Sequence, residues 1–415
     1  MDAPPSSADI RHANALTCIH VFRASEEPLT ISDLVQRTGL SRPTIDAVIN
    51  ELEEGGTLTE VPAGSSRANG GRPARRFQFQ SLNALVAGID SGPSNVTVML
   101  ADLRGRVVGR ASREISGSPT ASQRVDTVVS TVRDALADAG TPASKLRAAC
   151  VAVSGTIGLD GKVAQSYFVP EWNNTDLARH LGNELGCHVF LENDTKLAAY
   201  AEHHFGSAQL AGNILYFHIG TRIAFALTID GKIHQGAHRS AGELASLRGF
   251  RWTTNSVKGN LTWTGAESTA AILSMVKRGD SDAHAEWARF VTEIATRIAT
   301  VSLVFDPDVI VIGGELPASD LSGEFITAVR TEVRRLILLD LKPDVLASTV
   351  GAESILRGAL ALGFHESSRQ LFGIEGVPVP DISEVRADNS PTIRQTPAAQ
   401  TTPLTGRTQK VPSHE

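Results

Sequence analysis

Cysteine is scarce in this chain. Cys18, Cys150 and Cys187 are the only three in 415 residues, and each sits in an apolar run. They exclude a disulfide framework and a CxxC metal site, and read as buried thiols. No apolar run approaches the ~18 residues a membrane helix needs. Met1 to Ser7, acidic and Pro-rich, is unlike a secretory signal, so the chain is expected to be cytoplasmic, with no membrane partner. A positive excess is missing too: 39 Lys and Arg against 45 Asp and Glu give a net charge of -6. That excludes a coat of positive potential, so any nucleic-acid contact must be local. What is present is ordinary core material, 41% hydrophobic and 20% charged. At roughly 150 residues per domain, the length predicts two to four domains.

One stretch organises the rest. The strand-like run Val189-Phe190-Leu191 stops at Glu192-Asn193-Asp194, and a helical pattern of Leu197, Ala198, Ala201 and Phe205 begins at once. A strand turning directly into a helix places its last side chains at the mouth of a sheet, where open α/β folds bind ligands. Asn193 and Asp194 can there offer an amide and a carboxylate to one small polar molecule. Asp194 can equally be a capping residue, because a helix N-terminus favours acids.

Residues 9 to 79 predict three helices and a hairpin. Asp9 caps the first, with Ala13, Leu16, Ile19, His20 and Phe22 at helical spacing. Thr30 caps the second, with Leu34 and Val35 inward and Gly39 closing it. Ser41 caps the third, with Pro43 in its first turn. Two helices joined by a short Gly turn match the helix-turn-helix plan, and Ser41, Arg42 and Thr44 are suited to phosphates and base edges. Leu58–Val61 and Arg76–Phe79 read as wing strands. From Gly64 to Gln80 the chain carries Arg67, Arg72, Arg75 and Arg76 and no acid. Such a Gly-rich basic loop can lie along a minor groove or a phosphate row. Glu51, Glu53 and Glu54 are expected to face away from DNA. The reading is a winged helix-turn-helix over residues 1 to 80, its partner double-stranded DNA.

Residues 84 to 372 alternate strands and helices. Leu85–Asp90 is a strand ending in a carboxylate, followed by the Ser91-Gly92-Pro93-Ser94 turn and a second strand. Ile214–Ile219, the Gly220-Thr221-Arg222-Ile223-Ala224 turn and Phe225–Lys232 repeat that plan, which predicts two related lobes closing on a cleft. From Val377 onward Pro, Ser, Thr and Gln dominate, so residues 373 to 415 are expected to form a disordered tail.

The motifs Ala87-Gly-Ile-Asp-Ser-Gly92, Phe190-Leu-Glu-Asn-Asp194, Gly236-Ala-His-Arg-Ser-Ala-Gly-Glu243 and Phe305-Asp-Pro-Asp-Val-Ile-Val-Ile-Gly-Gly314 stand in this order. With the Tyr216–Gly231 double strand, they make the chain resemble the ROK family (repressors, open reading frames and sugar kinases), in its winged-helix regulator branch. The resemblance implies an α/β fold: a winged helix-turn-helix followed by a two-lobed, actin-like ATPase body. It implies that Asp194 matches the general base of the family's kinases and that Asn193 and Glu243 match sugar-binding positions. Ser154-Gly155-Thr156 and Trp172-Asn173-Asn174 fall where the family's substrate loops lie, which makes Asn173 a further ligand candidate.

The departures matter as much. The first phosphate loop, at Asp90 and Gly92, contains Pro93, which has no amide to donate. The second, at Gly220 and Thr221, carries Arg222 and Ala224 where the family has glycine, though Arg222 keeps anion binding possible. Two altered loops argue against phosphoryl transfer. Ser246 stands where the family's zinc histidine would be, and Arg248 to Trp263 has no cysteine, so no Cys/His zinc site is expected, nor any cofactor. His234 and His238 read as surface or hydrogen-bonding side chains. Trp252 is expected to pack against the cleft or the neighbouring lobe. The expected function is a DNA-binding repressor of carbohydrate-related genes, a homodimer or homotetramer sensing a sugar or phosphosugar. The alternative is an active sugar kinase carrying a DNA-binding head.

Overall fold

Helix capping sets the N-terminal architecture. The computed structural model describes residues 6–62, 74–257, 259–317, 322–340 and 342–384. Helix α1 (Ser7–Ala24) is capped by Ser6 rather than Asp9. The Ser6 hydroxyl accepts the Asp9 amide at 3.2 Å, and the Asp9 carboxylate returns to the Ser6 amide at 2.8 Å. This reciprocal pair satisfies two orphan amides and moves the helix start upstream. Ala15, Cys18, Ile19 and Phe22 face inward, whereas His20 is exposed. Strand β1 (Leu29–Thr30) leads into α2 (Ile31–Thr38), where Thr30 and Asp33 form a second such box and Gly39 closes the helix at φ 71°. That left-handed turn is the conformation glycine adopts without strain. Leu34 is buried, but Val35 is 37% exposed, so only the first of the expected pair packs inward.

Ser41 caps α3 (Arg42–Glu54), which buries Ile45, Val48, Ile49 and Leu52. The wing strands β2 (Leu58–Val61) and β3 (Arg76–Phe79) pair antiparallel from Leu58↔Phe79 to Val61↔Arg76, and β1 covers the other edge of β3. Residues 63–73, with Arg67 and Arg72, lie outside the described residues.

The first lobe opens with the antiparallel strands β4 (Leu85–Ser91), β5 (Asn95–Asp102) and β6 (Arg106–Glu114). Helix α4 (Ala121–Asp138) crosses to β7 (Leu146–Val153), which lies parallel to β4. The short ladder of β8 (Thr156–Ile157) and β9 (Val163–Gln165) follows, then α5 (Leu177–Leu185) and β10 (His188–Asn193), parallel to β7. Helix α6 (Asp194–Phe205) leads to the second lobe: β11 (Ile214–Ile219), β12 (Ile223–Ile229), β13 (Lys232–Ile233) and the ladder of β14 (Ser256–Val257) with β15 (Asn260–Leu261). Helices α7 (Thr269–Lys277) and α8 (Ser281–Phe305) precede β16 (Val309–Gly313), α9 (Ser322–Leu336) and β17 (Asp344–Ala347). The second sheet runs β13-β12-β11-β16-β17. Helices α10 (Ser354–Glu366) and α11 (Ser368–Phe372) return to the first lobe, where β18 (Ser383–Glu384) completes the order β10-β7-β4-β5-β6-β18.

Apolar packing fills both lobes. Ile89, Val98, Val132, Val151 and Trp172 build the first core, and Phe217, Trp252, Phe290, Ile294 and Phe325 the second. Between the lobes, α10 lies directly on α6: a Cβ on Gly358 would meet the Leu197 carbonyl oxygen at 1.9 Å. Only glycine permits two helix backbones to approach so closely.

One expectation needs correction. The expected tail is not disordered at its start, because Ile374, Val377 and Ile382 are buried and Ser383–Glu384 pair with β6. Apolar anchors every few residues outweigh the polar composition that signalled disorder; residues 385–415 lie outside the described set. The head packs directly on the large segment. Its core residues Cys18, Phe22 and Phe77 form one apolar cluster with Met99, Leu360, Phe364 and Phe372 of the large segment. Arg104, in the β5–β6 turn, donates to the carbonyls of Phe22, Arg23 and Ser25 at the end of α1. Cys18 and Cys150 are buried and Cys187 is partly so, all three free. Among the described residues, no helix is long and apolar enough to cross a membrane.

Candidate functional site

The parallel pairing of β7 and β10 carries two chain ends to one place. Asn193 pairs with Val153, so Ser154 and Asp194 emerge side by side above the sheet. Asn193, not Asp194, caps α6: its Oδ1 accepts the amides of Thr195 at 2.9 Å and Lys196 at 3.1 Å, and its Nδ2 donates to the Gly155 carbonyl at 3.1 Å. This leaves the Asp194 carboxylate free to face the cleft. It accepts from the Ser154 hydroxyl at 2.6 Å, the Thr195 amide at 2.7 Å and Arg222 Nη2 at 2.5 Å. Asp194 is only 3% exposed. Burial pushes its carboxyl up, but the Arg222 guanidinium and then the Ser154 hydroxyl outweigh that and hold it below the usual carboxylate range.

Arg222 comes from the β11–β12 turn, the second phosphate loop of the sequence reading. Its guanidinium lies 5.1 Å from the Phe168 ring centroid, within cation–π range. The loop's Thr221 amide donates to Glu315 Oε2 at 3.2 Å. His218 lies 3.6 Å from the same oxygen and, with further help from that amide, brings the Glu315 carboxyl down to about 2. The Thr221 amide is thus taken up by a carboxylate. At the first loop, buried Arg124 donates to the carbonyls of Gly92 at 3.4 Å and Pro93 at 3.3 Å, which fixes that loop from behind.

Ser154, Asn193, Asp194, Arg222, Glu243 and Trp252 line a cavity of about 80 Å³, together with Tyr167 and Phe168. Glu243 is carried there by a loop tied to the first lobe: Lys196 Nζ donates to Gln235 Oε1 at 2.9 Å and to the Arg239 carbonyl at 3.1 Å, while buried Glu192 accepts from Gln235 and Arg239. Burial pushes the Glu243 carboxyl up, opposed by Lys196. Asn173 does not join this group. Its Oδ1 accepts the Ser166 amide at 2.6 Å and holds a loop, and Trp172 is fully buried in the first core. The aromatic rings at the cavity are instead Tyr167, Phe168, Phe225 and Trp252. Tyr167 and Phe168 sit in an irregular loop that leaves no periodic trace in sequence. Trp252 packs on Phe217 and Phe225 of its own lobe. His234 is half-buried and His238 exposed. Among the described residues, no group of three or more His, Cys, Asp or Glu is placed to hold a metal ion.

Asp90, at the end of β4, is pushed up to about 7 by burial and then by Asp194, against the pull of Arg222. A carboxyl raised in the folded chain favours folding while protonated. That contribution is complete below its ordinary 3.8 and is lost as pH climbs through 7. Asp90→Asn is therefore expected to stabilise the chain at pH 8, on the order of 2 kcal/mol, with little effect at pH 4. Urea denaturation at the two pH values checks this.

On the head, the Ser41 and Thr44 hydroxyls lie 2.8 Å apart and the Thr44 amide donates to Ser41, so both serve the cap of α3. Arg42 is exposed at the first turn. Arg75 is not a free wing cation: it pairs with Glu60 at 2.8 Å and Glu53 at 3.3 Å and lies 4.8 Å from the Phe77 ring centroid. Of the acids expected to face away, Glu53 turns to that pair. Glu51 and Glu54 share the outward stripe of Ala47 at the far end of α3.

The ROK family pattern matches residues 86–249 and 243–366. The chain belongs to the ROK family. An IclR helix-turn-helix domain matches residues 13–62. Over 223 residues the chain is 26% identical to the xylose repressor of Bacillus subtilis (strain 168), a match covering 53% of this chain and 56% of the repressor, so it spans little more than half of that relative. Among solved structures, a ROK family transcriptional regulator described as a homolog of the E. coli MLC protein aligns over 84% of this chain and 95% of its own, at 21% identity and a TM-score of 0.63. The ROK hexokinase from Thermus thermophilus aligns over 68% and 99%, at 22% identity and 0.58. At these identities the structures establish the ROK fold, a two-lobed α/β body of the actin-like ATPase type, here behind an N-terminal helix-turn-helix.

Proposed function

We propose that the chain is a DNA-binding transcriptional repressor of carbohydrate-related genes, whose ROK cleft binds a sugar or sugar derivative without phosphorylating it. The observation that carries this reading is the Arg222–Asp194 ion pair. The carboxylate that matches the kinases' general base is already engaged by a side chain from the second phosphate loop. Proton abstraction needs a carboxylate free to meet a hydroxyl, and phosphoryl transfer needs loops open to phosphate. Here Glu315 takes the Thr221 amide and Pro93 removes a donor from the first loop. The helix-turn-helix match and the repressor relative support the DNA-binding half.

The ligand side rests on Asn193, Asp194, Ser154 and Glu243 around one cavity, since each sugar hydroxyl both donates and accepts. A ligand that prefers one spacing of the lobes shifts DNA affinity by its differential affinity for the two states. Two heads in a homodimer would read an inverted repeat. Mapping genomic binding sites, followed by release assays with the sugars that the neighbouring genes handle, tests the reading. Glu243→Ala is expected to abolish release while DNA affinity in the absence of sugar stays unchanged. The rival reading, an active kinase with a DNA-binding head, requires ATP-dependent turnover over a sugar panel that Asp194→Asn abolishes.

A further inference from the structure

Residues 373–384 follow α11 and join the head to the first lobe. After α11 the chain dips beneath α1 of the head and then reaches the outer edge of the first lobe. We infer that this segment is a clasp that holds the DNA-binding head in one orientation against the ROK body. The inference rests on the proposed function for its biological meaning, but not for its test.

Three fixed points define the clasp. Ile374, Val377 and Ile382 are buried at 7%, 3% and 2% exposure in the cluster that also contains Ala15, Ile19 and Phe22 of the head. On the head side, Arg23 Nη1 donates to the Pro378 carbonyl at 2.7 Å, and its guanidinium lies 5.1 Å from the Phe372 ring centroid. On the body side, Arg357 of α10 donates to the Ile382 carbonyl at 3.0 Å, and the Ser383 amide donates to the Gly105 carbonyl at 3.0 Å. One segment therefore touches the head, α10 and the sheet edge.

The body-side attachment matters because α10 is packed backbone to backbone on α6, and α6 begins at Asp194. A shift of α6 at the cleft reaches α10 by contact, and α10 shares its apolar face, through Leu356, Leu360 and Phe364, with the head. Packed elements of this kind move as units because close-packed interiors resist continuous deformation. The clasp keeps the head inside that unit. Without it, the head is held by the apolar cluster with Met99, Leu360, Phe364 and Phe372, by Arg104 and the Arg106–Glu26 pair, and by the Gln80–Ala84 connection.

The test is limited proteolysis of full-length chains with thermolysin, reading cleavage beside Leu82, which is 52% exposed in the connection. Cleavage follows the population of the locally opened state. Ile382→Asp places a charge in the apolar anchor and is expected to accelerate that cleavage about tenfold or more. Arg23→Ala, which removes the Pro378 contact without adding a buried charge, is expected to act in the same direction with a smaller factor and decides the matter should Ile382→Asp fail to fold. Unchanged cleavage in folded Ile382→Asp, or in Arg23→Ala where only that variant folds, overturns the clasp. Neither measurement uses DNA or sugar, so a chain that binds no operator would defeat the proposed function and leave the clasp standing. If both hold, Ile382→Asp is expected to bind operator but lose the sugar response.

Discussion

Arg222→Ala is expected to cost about 3 kcal/mol of stability at pH 8, read as a lower midpoint in urea. The partner it abandons, Asp194, is 3% exposed, so the carboxylate cannot recover its hydration. Breaking a buried pair by removing one member costs roughly 3–5 kcal/mol. The low end applies because the Ser154 hydroxyl and Thr195 amide still donate to Asp194. The pH dependence gives the sharper test. In the native chain Asp194 sits below the usual carboxylate range, so its ionised form contributes stability above that range and the contribution is lost as pH falls through the lowered value. Without Arg222, burial, already the largest influence, is no longer offset by that charge and raises the group. The variant then gains more stability on acidification from pH 8 to 5 than the native chain, whose own gain comes from Asp90. Adding Asp194→Asn to the variant is expected to recover most of the loss. A urea midpoint equal to that of the native chain at both pH values would show that the pair contributes nothing, and with it the argument that the base position is closed.

Arg42→Ala is expected to weaken operator binding by about 10- to 100-fold, with the folded body unaffected. Arg42 is exposed at the start of α3, and among the described residues no ion pair engages it. The first turn of a recognition helix meets base edges. Arg75→Ala serves as the contrast, because that guanidinium is already shared between Glu53 and Glu60, and a smaller loss is expected. Titration at several salt concentrations separates two roles for Arg42. A phosphate contact lowers the salt slope by about one, whereas a base contact leaves the slope and relaxes one position of the site. Equal affinity for native chain and variant at moderate salt removes Arg42 from the interface.

Local signals were strong where a few neighbouring residues determine the outcome. The caps at Thr30 and Ser41, the left-handed stop at Gly39 and both wing strands fall where the sequence places them. Such features depend on side chains within three or four positions of one another, so their physics is written in the order of residues. Asn193, Asp194 and Glu243 were legible for a different reason: the motif order resembles a known family. Spacing alone left Asp194 between ligand and cap; in the structure Asn193 takes the cap of α6, while Asp194 accepts from Ser154 and Arg222.

Reading residues in order was enough to give ROK family membership, the helix-turn-helix ahead of it and the two-lobed α/β body. Tertiary structure alone decided that Arg222 reaches Asp194, that Glu315 meets the Thr221 amide 94 positions away, and that Asn173 serves a loop instead of the cleft. It also decided that Val377 and Ile382 fold back onto the head although their surroundings read as a tail. Apart from Asn173, whose partner Ser166 lies seven positions away, the reason is common. Each of the others depends on which distant partner arrives at a given distance, and that is set by the packing of α6, α10 and two sheets rather than by the residues nearby.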